Sequence, residues 1–136
     1  MIILVSEMIM TEEAKDPLDS LFVEKDQVSN ELLRELLVGF VQLTNDGQII
    51  AKPEFTSLSN RKKILVILLA KKVLKLKMEF DEATAGTEII KVTGLTRGSV
   101  YPMLRQLEGE RLVASKDGKY WVPNFALGSV KELFSR

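Results

Sequence analysis

The apolar positions along the chain predict helices and short hairpins in alternation. Between Val28 and Leu43, apolar side chains recur every three or four residues and form one stripe: Leu32, Leu33, Leu36, Leu37, Phe40 and Leu43. This spacing predicts an amphipathic helix, which Ser29 or Asn30 would cap. The stripe can pack on the protein's own core or on the same helix of a second copy, and the sequence leaves both interpretations open.

A turn and a second helix are predicted next. Asn45-Asp46-Gly47 is a strong turn signal, and residues 48–52 suit a short strand, so we expect a local hairpin here. Capping residues at 56–60 then predict a helix from about Asn60 to Lys77. Residues 64–70 are all apolar, and a helix that is apolar on every side belongs at the centre of a domain.

The first turn of this helix is unusual because it carries three cations, Arg61, Lys62 and Lys63. The helix dipole favours anions at the amino end of a helix. A bound phosphate would remove the conflict. Alternatively, the turn is solvated and the buried helix tolerates a small cost. We therefore keep the three residues as candidate phosphate contacts.

Residues 87–108 predict a short helix, a tight turn and a second helix. Gly94 suits the left-handed conformation that ends a helix, Leu95 fills the angle between the helices, and Thr96 suits the next N-cap. Apolar residues at helical spacing mark the side of the second helix that faces the protein: Val100, Met103, Leu104 and Leu107.

The opposite side of this second helix, Thr96 to Glu110, has a composition suited to the major groove of DNA. Small residues allow close approach, while Arg, Ser and Tyr can donate to base edges or phosphates. No acidic residue occurs before Glu108. Pro102 lies several residues inside the helix and should loosen or kink its first turns. The residues expected on DNA are Thr96, Arg97, Gly98, Ser99, Tyr101, Pro102 and Arg105.

A hairpin is predicted from Leu112 to Val122, because Asp117-Gly118 separates two β-prone runs. Lys116 and Lys119 flank the turn and would reach the DNA backbone or minor groove. Tyr120 and Trp121 alternate in the second strand, and we expect Trp121 to be the one that points into the core.

Residues 124–136 predict a last short helix, with Asn124 as its cap and Leu127, Val130 and Phe134 on one side. This apolar side has the same two uses as the stripe near the start of the chain. It either packs on the core or completes a dimer.

Composition and charge narrow the function. The chain has no Cys and no His, which excludes thiolate chemistry, disulfides and the commonest metal ligand and general base. We therefore expect no enzyme, no metal and no cofactor. Residues 1–56 carry 4 Lys or Arg against 11 Asp or Glu, whereas residues 57–136 carry 15 against 8. A basic back half is typical of a chain that meets a polyanion there.

The motif Gly98-Ser-Val-Tyr-Pro102, followed by Leu104-Arg-Gln-Leu-Glu108, Leu112-Val113 and the Asp117-Gly118 hairpin, resembles winged-helix transcriptional regulators. It is most similar to the PadR group and next to the MarR group. The resemblance implies a mainly α fold with a small β-hairpin wing, a winged helix-turn-helix, in a dimeric repressor or activator. It places Arg97, Ser99, Tyr101 and Arg105 on DNA, with Lys116 and Lys119 in the wing.

The chain departs from the PadR pattern at several places. Glu88-Ile89 stands where the group has a Gly-Tyr pair, Gly109-Glu-Arg111 replaces a Glu-Gly boundary, and residues 1–56 match no pattern of the group. The expected organisation is an acidic flexible leader at 1–27, a helix and short hairpin at 28–56, and the winged-helix domain at 57–136.

Two functions stay open at this point. The first is a homodimeric regulator that binds double-stranded DNA in the cytoplasm, paired through its N-terminal or C-terminal helix. The second is a winged-helix module that docks other proteins, since the basic residues of the recognition helix are few. No membrane partner is expected, because the longest apolar run, 64–70, is far below the roughly 18 residues of a transmembrane helix.

Overall fold

The computed structural model describes residues 17–18 and 30–135. Within the second range the chain is mostly helical and contains two small antiparallel sheets. The helices are α1 (Asn30–Leu37), α2 (Asn60–Met78), α3 (Gly86–Thr93), α4 (Arg97–Gly109) and α5 (Leu127–Ser135). The strands are β1 (Val41–Leu43), β2 (Ile49–Ala51), β3 (Thr84–Ala85), β4 (Ala114–Lys116) and β5 (Lys119–Trp121). Short 3-10 helices span Pro53–Ser57 and Asn124–Ala126. The predicted leader lies outside the described residues, apart from 17 and 18.

The helix α2 lies at the centre of the domain, as its all-apolar middle predicts. Residues 64–70 are at most 1% exposed, and the helix packs against α1, α3, α4 and β5. The Ser59 hydroxyl accepts a hydrogen bond from the backbone N–H of Lys62 at 3.3 Å and so caps the helix. These helices and the strand β5 therefore pack around α2.

The first helix is shorter than predicted. The apolar stripe predicted a helix up to Leu43, but α1 ends at Leu37 and residues 41–43 form β1, which pairs with β2. The turn explains the difference, because Gly47 has φ 89° and lets the chain fold back on itself. The Lys52 ammonium donates to the Val38 carbonyl at 2.7 Å, and the Lys52 backbone N–H donates to the Phe40 carbonyl at 2.8 Å. The predicted hairpin is confirmed.

The two terminal helices pack together on the core of one copy. Leu33, Leu36 and Leu37 of α1 and Leu127 and Val130 of α5 all belong to the cluster built around α2. The rings of Phe40 and Phe134 are 6.4 Å apart, centroid to centroid. Within the described residues, the apolar sides of α1 and α5 therefore pack on the core. No helix in residues 30–135 has the length and apolar character needed to cross a membrane.

The second sheet has the order β3-β5-β4 and contains the predicted hairpin. Asp117 and Gly118 both have positive φ, 55° and 78°, which is the conformation of a two-residue type I′ turn. The expectation that Trp121 points into the core is wrong. Val122 is fully buried and Tyr120 packs on the core, so the two-residue period of a strand turns Trp121 to the other face.

Candidate nucleic-acid interface

The turn between α3 and α4 is built from the residues that the sequence indicates. Gly94 ends α3 in the left-handed conformation at φ 76°. The Thr96 hydroxyl accepts from the backbone N–H of Ser99 at 3.2 Å and donates to the Ser99 hydroxyl oxygen at 3.0 Å. Leu95 is half-buried and packs on the core. These contacts fix the direction in which α4 leaves the turn.

The inner face of α4 is settled by three side chains. Val100, Leu104 and Leu107 are each 0% exposed and belong to the cluster around α2. This confirms the side of the helix that was predicted to face the protein. Because the helix period is 3.6 residues, burial of these three positions leaves the opposite side in solvent.

That opposite side is exposed and carries two arginines. Arg97, Gly98, Pro102 and Arg105 all lie in solvent. The helix runs unbroken through Pro102, so the proline does not end it. Neither arginine forms an ion pair with any residue in the described part of the chain. The outer face of α4, defined by these four residues, therefore presents positive charge that no ion pair within residues 30–135 neutralises.

The carboxylates at the end of α4 each have a partner elsewhere in the domain. Glu108 accepts a hydrogen bond from the Ser115 hydroxyl of β4. Glu110 is bound by both terminal nitrogens of Arg61, in the first turn of α2. The hydrogen bond from Arg61 lowers the pKa of the Glu110 carboxyl, so the carboxylate form is favoured. The negative charge of the helix end is thus used for internal contacts.

Tyr101, which the sequence analysis expects on DNA, is only partly exposed beside the arginines. It is half-buried and packs on the core. A Cβ atom built on Gly86, at the start of α3, would overlap the hydroxyl and ring of Tyr101. The guanidinium carbon of Arg97 lies 4.9 Å from the centroid of the same ring. Tyr101 therefore positions Arg97 and depends on Gly86, a residue that the sequence analysis did not single out.

Tyr120 joins this group from the sheet, and the sequence analysis also missed it. Burial raises the pKa of its phenol, the carboxylate of Glu108 raises that pKa further, and Arg105 lowers it. Tyr120 packs on the core from β5. The hydrogen bond from Ser115 to Glu108 connects the hairpin to α4.

The hairpin carries two lysines at its tip. Lys116 and Lys119 are both exposed and stand directly opposite each other in the ladder of β4 and β5. Like charges in this position destabilise a hairpin, and neither lysine has an acidic partner among residues 30–135. An anion bound at the tip would relieve their repulsion.

The three cations at the start of α2 have a different environment. Arg61 binds Glu110, the Lys62 ammonium lies 5.4 Å from the centroid of the Phe134 ring, and the Lys63 ammonium lies 6.0 Å from that of Phe55. The three cations, which made a bound phosphate plausible, therefore contact a carboxylate and two aromatic rings of the protein itself. All three side chains are half-buried and remain partly in contact with solvent.

Acidic residues outside the interface do not form a metal site in the described part of the chain. No group of three or more potential ligands occurs there. The carboxylate of Glu82 pairs with Lys72 at 3.1 Å and with Lys75 at 3.7 Å. Its charge is neutralised by lysines.

Comparison of the chain with protein-family models, with curated proteins and with solved structures gave no match.

Proposed function

We propose that the protein is a winged helix-turn-helix regulator of transcription that binds double-stranded DNA. In this proposal α4 enters the major groove and the hairpin of β4 and β5 acts as the wing on the backbone or minor groove. The observation that carries the proposal is the outer face of α4, where two exposed arginines lack acidic partners in residues 30–135 while Val100, Leu104 and Leu107 hold the helix in place. The role implies a cytoplasmic location.

The charges suit a polyanion that is read at close range. Arg97 and Arg105 are long enough to reach base edges, and Gly98 between them adds no side-chain bulk. Lys116 and Lys119 are suited to phosphates. Each phosphate that the protein neutralises releases counterions, so the observed affinity should fall steeply with salt.

The alternative of a protein-docking module gains little support from the surface of α4. A docking helix usually presents exposed apolar anchors. The large apolar side chains that are exposed in the described residues all lie outside α4: Leu18, Val38, Ile50, Leu76, Phe80 and Phe125. The outer face of α4 is thus better suited to DNA than to a protein.

Selection of bound duplexes from a random pool tests the proposal. We expect a defined sequence to be enriched, and we expect Arg97→Ala and Arg105→Ala each to weaken its binding by about 1–3 kcal/mol. Arg34→Ala is the matched control, because Arg34 is an exposed arginine of α1; its DNA affinity should equal that of the wild type. Equally weak binding of every duplex at physiological salt would refute sequence-specific regulation.

The same selection tests the proposed homodimer. A two-fold dimer binds two half-sites about one helical turn apart, so the enriched sequence should be a palindrome with that spacing. A single half-site would indicate that one copy binds alone.

A further inference from the structure

The sheet has a second face that points away from α4. In the ladder of β4 and β5, Ala114 pairs with Trp121 and Lys116 pairs with Lys119. Because side chains alternate along a strand, these four residues share one face, whereas Ser115 and Tyr120 share the face toward α4. We call the residues Ala114, Lys116, Lys119 and Trp121 the outer sheet face.

A cavity of about 330 Å³ adjoins one end of the outer sheet face. Trp121 and Ala114 line it together with Phe125, Lys75 and Lys72. Phe125 is 69% exposed, the highest value among the large apolar side chains that are exposed in the described residues. An aromatic side chain so exposed does not stabilise the fold by burial.

The segment that carries Phe125 is nevertheless held firmly. Lys72 is only 2% exposed, and its ammonium donates to the Asn124 side-chain carbonyl at 2.6 Å and to the Glu82 carboxylate at 3.1 Å. Lys75 approaches the same carboxylate at 3.7 Å. This network ties the 3-10 helix at 124–126 to α2, so the backbone of Phe125 has a fixed place beside Trp121.

The charges around the cavity favour an anion. Lys75 is largely exposed, with 58% of its side chain accessible, and Lys116 and Lys119 repel each other at the far end of the same face. The carboxylate of Glu82 also lines the cavity, but it pairs with both Lys72 and Lys75, so lysine charge is in excess there. Aromatic rings beside lysines are a combination that binds single-stranded nucleic acid, in which bases stack on rings and phosphates pair with cations.

We propose that the outer sheet face and the adjoining cavity bind single-stranded nucleic acid. A base stacks on Trp121 and Phe125, and the phosphates on either side pair with Lys75 and with the lysines of the hairpin tip. A duplex does not fit this site, because its bases are already stacked on one another. The site shares Lys116 and Lys119 with the proposed wing but includes neither Arg97 nor Arg105, so variants of Phe125 and of Arg97 distinguish failure of one proposal from failure of the other.

The chain's only tryptophan gives a direct measurement of binding. The full chain is titrated with an oligothymidylate of about 12 nucleotides while the fluorescence of Trp121 is followed. We expect saturable quenching, and we expect Phe125→Ala to weaken binding roughly 5- to 150-fold, as for the loss of one stacked base. Phe80→Ala is the matched control, because Phe80 is also exposed, at 42%, but packs beside Gly47; it should bind like the wild type.

Two further variants separate this site from the duplex site. Lys75→Gln should lower the salt dependence of oligothymidylate binding by about 0.7 in the slope of log K against log salt. Arg97→Ala should leave oligothymidylate binding unchanged while it weakens duplex binding. These results together would support a second, single-strand site.

Several results would overturn the proposal. They are the absence of quenching by oligothymidylate, equal quenching by a duplex of the same length, and an unchanged affinity in Phe125→Ala. Thymidine monophosphate that binds as tightly as the oligonucleotide would also overturn it, because the site would then recognise a free nucleotide and not a strand. Circular dichroism of each variant verifies that it is folded, and the exposure of Phe125 predicts that it is.

Discussion

Two groups of basic residues can be compared in this protein. One lies in the first turn of α2 and consists of Arg61, Lys62 and Lys63; the other consists of Arg97 and Arg105 on α4. From the sequence, both are candidates for contact with phosphate. In the structure the first group contacts Glu110 and two phenylalanine rings, whereas the second has no ion pair with any residue between 30 and 135.

The difference shows that local charge is a poor guide to a binding site until its partners are known. The ion pair between Arg61 and Glu110 neutralises a cation at the start of α2 and a carboxylate at the end of α4. One of the three cations in the first group thus has an acidic partner, whereas Arg97 and Arg105 have none in residues 30–135. A basic helix start is a site for an anion only where no internal group has met its charge first.

The largest expected effect concerns the contact between Gly86 and Tyr101, because the Tyr101 ring supports Arg97 of the second group. Gly86→Ala should destabilise the protein by about 1–3 kcal/mol, because the new methyl group overlaps the ring of Tyr101 and a rigid ring in a packed place cannot yield cheaply. Displacing that ring also removes the surface on which Arg97 lies, so duplex binding should weaken. Urea unfolding measures the first effect and a duplex titration the second.

Gly98→Ala is the matched control for this variant. Nothing lies within 4 Å of a Cβ atom built on Gly98, which is exposed in α4. Alanine should therefore raise the stability by about 0.5–1 kcal/mol through its helix propensity. If Gly86→Ala is as stable as Gly98→Ala, the packing of Tyr101 on Gly86 does not support the interface.

A smaller effect is expected at the hairpin tip. Lys119→Glu places opposite charges across the ladder from Lys116, which should stabilise the hairpin by about 0.2–1 kcal/mol. The same change should weaken duplex binding, because it reverses a charge that meets phosphate. Thermal unfolding and duplex titration would show the two effects with opposite signs. A loss of stability together with a loss of binding would mean that Lys119 has a structural role.

The smallest expected effect is the pH dependence of the stability that the ion pair between Arg61 and Glu110 contributes. Arg61 lowers the pKa of Glu110 in the folded protein. The Glu110 carboxylate therefore stabilises the fold at any pH above the ordinary pKa of a glutamate. This contribution is lost as the pH falls through the lowered pKa of Glu110. The stability difference between the wild type and Glu110→Gln should therefore be present at neutral pH and shrink below about pH 4. Denaturant unfolding over this range measures it. A difference that stays constant with pH would show that the carboxylate charge is not involved.

Local signals in the sequence predicted the turns well. The end of α3 at Gly94, the cap of α4 at Thr96 and the turn at Asp117-Gly118 each depend on residues within a few positions of one another. The burial of residues 64–70 was also predictable, because a wholly apolar helix has only one stable environment.

Contacts between distant residues were not predictable in this way. The pairing of Arg61 with Glu110 joins residues 49 positions apart. The packing of Tyr101 on Gly86 likewise depends on how α3 and α4 meet, and a glycine carries no side chain to signal it. The predicted end of α1 was wrong because Phe40 and Leu43 fit the apolar pattern of a helix. In the structure Phe40 precedes β1 and Leu43 lies in it, and this hairpin depends on the turn at Gly47.

The hydroxyls at the start of α4 have one further consequence. The oxygens of Thr96 and Ser99 lie 3.0 Å apart, so one hydroxyl donates to the other, and a hydroxyl group has a single proton to donate. The oxygen of Thr96 also accepts from the backbone N–H of Ser99. The two hydroxyls together therefore offer one proton, and not two, to a phosphate oxygen at the start of α4.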